Sequence, residues 1–261
     1  MCSVRAGRLL SVNVGGPREI EWQGKTVRTA IWRGPFDGPR MVRRINIDGD
    51  DQADRLAHGG EHRAVFVYQI DSYRYWEREL GRSDFSYGQF GENFTVEGLT
   101  DDEVCIGDRY RIGGALFEVT QPRVACYRVG IRMNEPAMPT LLVAHHRPGV
   151  YFPVLEDGVV EAGDEIKKVG DGPEQLTVAD IGALLYLPNK SRELLQRARR
   201  VTRTNAGLEP LNGAARFVAT REIRGVEGPG RRRGCRPGVA RSHECRARTR
   251  SRGSGPETRA S

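Results

Sequence analysis

The chain has 261 residues, 41 Lys and Arg against 34 Asp and Glu, and five cysteines, enough length for one large domain or a domain with an appendage. The odd cysteine count, without a CxxC pair or zinc-like spacing, argues against a disulfide-stapled secreted scaffold and fits a reduced, cytoplasmic protein. The Leu9-Leu10 pair is too short for a signal sequence and no stretch approaches membrane-spanning length, so no membrane partner is expected.

Leu10, Val12 and Val14 alternate with polar neighbours, as in a strand that Gly15-Gly16-Pro17 ends. Glu19–Trp22 and Thr26–Trp32 flank Gln23-Gly24-Lys25, a hairpin pattern. Val42–Ile47 reads as a further strand, and Ala64–Ile70 is an uncharged apolar run suited to a strand buried on both faces. Asp71 can cap a helix in which Tyr73, Trp76 and Leu80 share a face, and Gly81 stops it. Strands resume at Asn93–Glu97, Glu103–Ile106, Tyr110–Ile112 and Ala115–Thr120. Pro139–His146 reads as a helix, and Val150–Leu155 and Glu165–Val169 as closing strands. So many short, closely spaced strands predict a mainly β domain with helices, closed as a barrel, over residues 1–170.

From Thr177 the pattern changes. Thr177 and Asp180 form a capping-box-like start, and Val178, Ile181, Leu184 and Leu185 repeat at helical spacing. Pro188 breaks that helix and Ser191 caps another, so residues 176–215 are expected to be a small helical domain. Residues 221–261 hold 12 Arg against 4 Glu and no Leu, Phe, Tyr, Trp, Met or Lys, which leaves residues 1–220 with a net charge of −1. Such a segment buries too little apolar surface to offset its ordering entropy and is expected to be disordered. It lacks the aromatic interleaving that stacks bases, so nucleic-acid binding by this tail is not expected. The absence of Lys suggests that the reading frame is lost near residues 200–220; tail peptides found in the native protein by mass spectrometry would argue against that.

Three turns carry candidate chemistry. In His58-Gly59-Gly60-Glu61-His62-Arg63 the glycines would let backbone amides approach an anion, with Arg63 as a planar donor fork; a glycine turn with solvated charges explains the same residues. In Phe90-Gly91-Glu92-Asn93-Phe94, Gly91 gives backbone freedom and Asn93 a donor and an acceptor, although an Asn at a strand start also satisfies its own turn. In Gln121-Pro122-Arg123-Val124-Ala125-Cys126-Tyr127 the proline redirects the chain and sets Cys126 between Arg123 and Arg128. Positive neighbours favour thiolate, the soft ligand that heavier metals prefer, whereas most free cysteines are small buried hydrophobes. Cys105, inside an apolar segment, is read as such a hydrophobe. Met133 and Met138 read as core fillers, and His145 and His146 as helix surface or as partners of the helix C-terminus.

Taken together, GDDQADRLAHGGEHRAVFVYQIDSYRYWERELG, FGENFTVEGLTDDEVCIGDRYRIGGALFEVTQPRVACYR and AHHRPGVYFPVLEDGVVEAGDEI resemble the MOSC domain family, named for the C-terminal domain of molybdenum cofactor sulfurase. The branch is the YiiM-like one, whose small three-helix domain the residues from Thr177 resemble. The resemblance covers about residues 8–170 in order. It implies a β-barrel that holds a molybdenum cofactor of molybdopterin type, with Cys126 as metal ligand and catalytic residue. By the same resemblance His58, Gly59, Gly60, Arg63, Gly91, Glu92, Asn93 and Arg123 surround the cofactor, with His58, His62 or Glu92 available to relay protons. The implied activity is reduction of N-hydroxylated bases and related small molecules, with electrons from a separate reductase or ferredoxin-type donor; pyridoxal phosphate is not expected. The rivals are a persulfide or molybdenum-cofactor carrier and a cysteine hydrolase with a histidine base.

Overall fold

The computed structural model describes residues 7–53, 60–187 and 191–204. Its N-terminal half holds β1 (Gly7–Val14), β2 (Arg18–Trp22), β3 (Lys25–Thr29), β4 (Gly34–Pro35), β5 (Arg40–Arg43), β6 (Asn46–Ile47), β7 (Val65–Gln69), helix α1 (Ile70–Leu80) and β8 (Phe94–Glu97). There follow β9 (Arg109–Ile112), β10 (Ala115–Glu118), β11 (Gln121–Pro122), α2 (Tyr127–Met133), α3 (Met138–Ala144), β12 (Val150–Phe152), β13 (Val154–Glu156), β14 (Gly158–Val160) and β15 (Glu165–Gly170). Helices α4 (Val178–Tyr186) and α5 (Arg192–Thr204) complete the described chain.

The main sheet runs β11-β12-β7-β8-β1-β15-β9-β10-β13, with β4 paired to β1. Its pairs are antiparallel except β7 with β8, which run parallel. The chain is therefore mainly β with helices. The closed barrel expected from the sequence is corrected, because the path ends at β11 and β13 without joining them. At one end the two-residue strand β11 contains Pro122, which has no N–H to offer a further neighbour. Strands β5, β6 and β14 form a small sheet of their own, and β2 with β3 a detached hairpin. Gln23 and Gly24 at the hairpin's tip both take positive φ, 50° and 71°, which matches the twist of the flanking strands.

Strand β7 explains why its sequence is apolar without alternation. Val65 and Val67 join the core within the sheet, beside Leu9, Phe94, Phe117 and Phe152. Phe66 and Tyr68 face the opposite way, into a second cluster with Tyr73 and Trp76 of α1, Phe90, and Val129, Met133, Met138 and Leu142 of α2 and α3. The Trp76 indole donates to the Tyr68 hydroxyl at 2.8 Å, and that hydroxyl donates to the Arg147 carbonyl at 3.0 Å. Gly81 ends α1 in the left-handed conformation. The two methionines are fully buried, as expected of core fillers.

Several expected elements differ. Val42–Ile47 is not one strand; it folds back as the β5–β6 hairpin, Val42 opposite Ile47. Glu103–Ile106 is a turn held by a single bridge from Cys105 to Thr177. Asp71 lies within the first turn of α1 and Gln69 occupies the cap position. Pro153 separates β12 from β13 within the expected strand Val150–Leu155. Cys105 is buried, yet it is disulfide-bonded rather than a free apolar filler. Thr177 and Asp180 do form the reciprocal capping box, at 2.9 and 3.0 Å, and Ser191 accepts from the Leu194 N–H at 3.3 Å. Pro188, the expected helical stretch beyond 204 and the arginine-rich tail lie outside the described residues.

Candidate functional site

The strand ends of β11 and β12 set the site. Gln121 pairs with Tyr151 and Pro122 with Val150, and the Arg123 N–H donates to the Gly149 carbonyl at 2.9 Å. The chain then leaves the sheet through Val124 and Ala125 and enters α2 with Cys126 in the cap position. Asn93, just before β8, extends the parallel pairing of β8 with β7. Its N–H donates to the Phe66 carbonyl at 2.8 Å, and its side-chain oxygen accepts from the Phe66 N–H at 3.0 Å.

Between these strand ends lies a cleft of about 640 Å³, counting the part open to solvent. Arg63, Gly91, Asn93, Arg123 and Cys126 line it together with Ile31, Arg33, Phe66, Arg128 and Tyr151. Among the described residues no Asp or Glu lines it. Cys126 is half-buried and is the free cysteine among the described residues. Arg123 is only 6% exposed, its guanidinium lies 4.8 Å from the Phe66 ring, and its Nη1 is buried with no hydrogen-bond partner. A buried donor left unpaired costs on the order of 1–3 kcal/mol, so this nitrogen is placed for an acceptor that enters the cleft.

Arg33 plays a different part. Its Nε and Nη2 grip Asp50 at 2.8 Å each, and its Nη1 donates to the Gly91 carbonyl at 2.6 Å. Burial alone would lower this guanidinium, but pairing with Asp50 outweighs that and holds it above its ordinary value. Asp50 also accepts from Asn93 at 3.0 Å. The charge of Arg33 is thus spent on fixing the cleft wall, while Arg123 retains an open donor.

Glu92 sits behind that wall rather than in the cleft. Its fully buried carboxylate accepts from Tyr73, from the backbone of Gly88 and Phe90 at 2.9 and 3.1 Å, and from Thr95 at 2.8 Å. Burial pushes its carboxyl above the ordinary value, against these donors. It organises the 88–92 turn. Gly60 is exposed, with φ 97°, at the start of a single 3₁₀ turn over Glu61–Arg63. Glu61 pairs with Arg44 at 3.0 Å on the surface. His145 hydrogen-bonds the Tyr75 hydroxyl. His58 and Gly59 lie outside the described residues.

Sequence reasoning did not find Arg33, Asp50, Ile31, Phe66 or Tyr151 as site residues. Asp48-Gly49-Asp50-Asp51 shows only a polar turn, and nothing local marks Asp50 as the partner of an arginine 17 residues earlier. Among the described residues no three His, Cys, Asp or Glu side chains gather as a metal cage, and no helix is long and apolar enough to cross a membrane.

Comparison with known proteins fits this arrangement. Residues 54–167 match the MOSC domain. The uncharacterized protein YflK of Bacillus subtilis is 36% identical over 189 residues, covering 72% of this chain and 85% of that protein. The chain belongs to the MOSC domain family. The crystal structure of YiiM from Geobacillus stearothermophilus superposes with a TM-score of 0.64 at 29% identity, over 80% of this chain and 99% of that one. This puts the MOSC chain in the YiiM-like branch. A protein of Gibberella moniliformis named as a reductase is 29% identical over 212 residues; the MOSC chain spans 80% of its own length there but only 36% of that protein's.

Proposed function

We propose that the cleft binds a molybdenum–pterin cofactor and that the protein is a reductase of N-hydroxylated compounds, taking electrons from a separate flavin or iron–sulfur protein. The observation that carries this is the meeting of the free Cys126 thiol with the unpaired, buried Nη1 of Arg123 in a cleft that Arg63 and Arg128 also line. This donor set fits a group with one soft metal and an anionic phosphate arm. Membership in a family named for molybdenum cofactor sulfurase, and the reductase name of the fungal relative, support the same reading.

Cys126 would hold the metal through its sulfur. Arg123 would bind the phosphate through its open nitrogen, held in place by the Phe66 ring and the Gly149 carbonyl, and Arg63 would add charge. Asn93 and Gly91, fixed by Asp50 and Arg33, would shape the wall that orients the substrate. When bound, the cofactor supplies the two-electron redox chemistry. The overall reaction consumes two electrons and two protons and converts an N-hydroxyl group to amine and water. Proton supply requires a donor within hydrogen-bond reach of the leaving oxygen. The four hydrogen bonds on Glu92 occupy that carboxylate, so among the relays named from the sequence His58 and His62 are the ones we propose for the role.

The test is metal and pterin analysis of protein purified from a cofactor-producing host, followed by reduction of an N-hydroxylated nucleobase with a chemical electron donor. Bound molybdenum and amine formation are expected. Material without molybdenum that instead carries cyanolysable sulfur would replace this reading with a persulfide carrier.

A further inference from the structure

Two arginines outside this set converge on Trp32. The Arg18 guanidinium lies 3.8 Å from the Trp32 ring centre and that of Arg132 lies 5.8 Å from it. Among the described residues neither is in an ion pair, and the Nε of Arg132 is buried without a hydrogen-bond partner. Burial, and then the charge of Arg18, lowers the Arg132 guanidinium; Glu92 and Tyr73 act on it only through space. Glu92 already accepts four hydrogen bonds. Among the described residues no carboxylate is therefore bonded to either of these two like charges, an arrangement that an entering anion would relieve.

The pair adjoins the cleft. Arg18 stands opposite Thr29 in the hairpin, and Thr29 lines the cleft. Arg132 lies one helical turn beyond Arg128, another lining residue, and Trp32 falls between the lining residues Ile31 and Arg33. Trp22, on the same strand as Arg18, stacks on Tyr127 with ring centres 4.6 Å apart. Tyr127 directly follows Cys126, so this stack ties the hairpin to the thiol end of the cleft.

We propose that Arg18 and Arg132 form a second anion subsite, which takes the phosphate monoester of a phosphorylated substrate. This rests on reading the cleft as a substrate site and adds a substrate class, the phosphorylated N-hydroxylated compound, such as a nucleotide rather than a free base. Guanidinium pairs suit the geometry of phosphate oxygens. The phosphate bound by Arg123 belongs to the cofactor; this one belongs to the substrate.

The experiment is calorimetric titration of the purified protein with a nucleoside 5′-monophosphate, its parent nucleoside and inorganic phosphate. It is repeated on Arg18→Gln and on Arg18→Gln/Arg132→Gln. In the unmodified protein the monophosphate should bind at least about tenfold tighter than the nucleoside, and inorganic phosphate should compete with it. The double variant should lose that margin while keeping its affinity for the nucleoside. If the double variant does not fold, Arg18→Gln alone, altered at an exposed side chain, must reduce the margin. Equal binding of monophosphate and nucleoside, or a margin that survives the substitutions, overturns the proposal. So does a nucleotide attached to the extracted cofactor and lost from the double variant, since the subsite then serves the cofactor. The measurement needs no molybdenum, so a failure of the reductase reading, seen as missing metal, is separate from a failure here.

Discussion

Arg123 and Cys126 stand three residues apart and do different work. Cys126 has no apolar volume to give to the core, since it caps a short helix at the edge of the cleft. Cys126→Ala should therefore leave stability within about 1 kcal/mol while removing molybdenum and reductase activity together, read by metal analysis and a thermal melt. Retained metal and activity would remove the sulfur from the site. For Arg123 the geometry of the head group matters as well as its charge. Arg123→Lys keeps the charge but loses the planar fork and its stacking on Phe66, so cofactor retention should fall about tenfold, measured as pterin content per protein. Both residues were legible in the sequence because a lone cysteine flanked by arginines after a proline is a local pattern. Asp50 and Arg33 were not, because their pairing depends on how two distant loops meet. Glu92 shows the reverse failure: its place between Gly91 and Asn93 makes it look like a site residue, and only the fold reveals that its carboxylate turns inward to Tyr73 and Thr95.

At the scale of elements, the turn that carries Gly91 is the most constrained part of the cleft. Gly91 has φ 82°, and a Cβ there would fall 2.6 Å from the Ile31 Cγ1 and 3.2 Å from its carbonyl oxygen. Gly91→Ala should cost about 1–3 kcal/mol through strain and collision, measured by urea unfolding, and should narrow the cleft at the Ile31 wall. A cost under about 0.5 kcal/mol would mean that the turn yields more easily than its contacts indicate. The capping box of α4 belongs to this scale too, and it was readable because Thr177 and Asp180 act within one turn. Helix α2 was not. Its seven residues include Gly130 and two β-branched side chains, and its cap residue, Cys126, makes no side-chain capping bond. Burial of Val129 and Met133 in the cluster that also holds Trp76 and Tyr73 favours the helix, and that burial has no local signature. The open ends of the sheet were likewise hidden, since short strands at close spacing look the same whether or not the last one finds the first.

Across the whole molecule, the segment around Asp101 joins the helices to the site. Leu176, Val178, Ile181 and Leu184 share the apolar core of the sheet. The backbone binds them there as well. Ile106 donates to Leu176 at 2.7 Å, Val178 to Val104 at 2.9 Å, and Ala179 to the Asp101 carbonyl at 2.8 Å. The Asp101 carboxylate accepts from the Gly149 N–H at 3.4 Å, and the Gly149 carbonyl in turn holds the Arg123 N–H. Asp101 thus connects the first turn of α4 with the strand end that bears Arg123. Burial raises its carboxyl from 3.8 to about 7; the Gly149 N–H and Arg147 oppose that rise and Asp102 adds to it. An unfolded chain loses this proton near its ordinary value, whereas the folded chain keeps it until near neutrality. Between those two pH values the folded state binds more protons, so stability must fall as pH rises through the window and level off above it. A shift of this size corresponds to roughly 4 kcal/mol for a fully buried group. Asp101→Asn should remove most of that slope, because the amide cannot ionise yet its oxygen can still accept from Gly149. Glu92, also raised by burial, contributes in the same direction in both proteins, so the quantity that decides is the difference between them. Urea unfolding in steps from about pH 4 to about pH 8 should show the two curves converging at the acid end and the variant becoming relatively more stable toward neutrality. Parallel curves would mean that Asp101 is ionised in the folded protein throughout and that the link to Gly149 is a charged one.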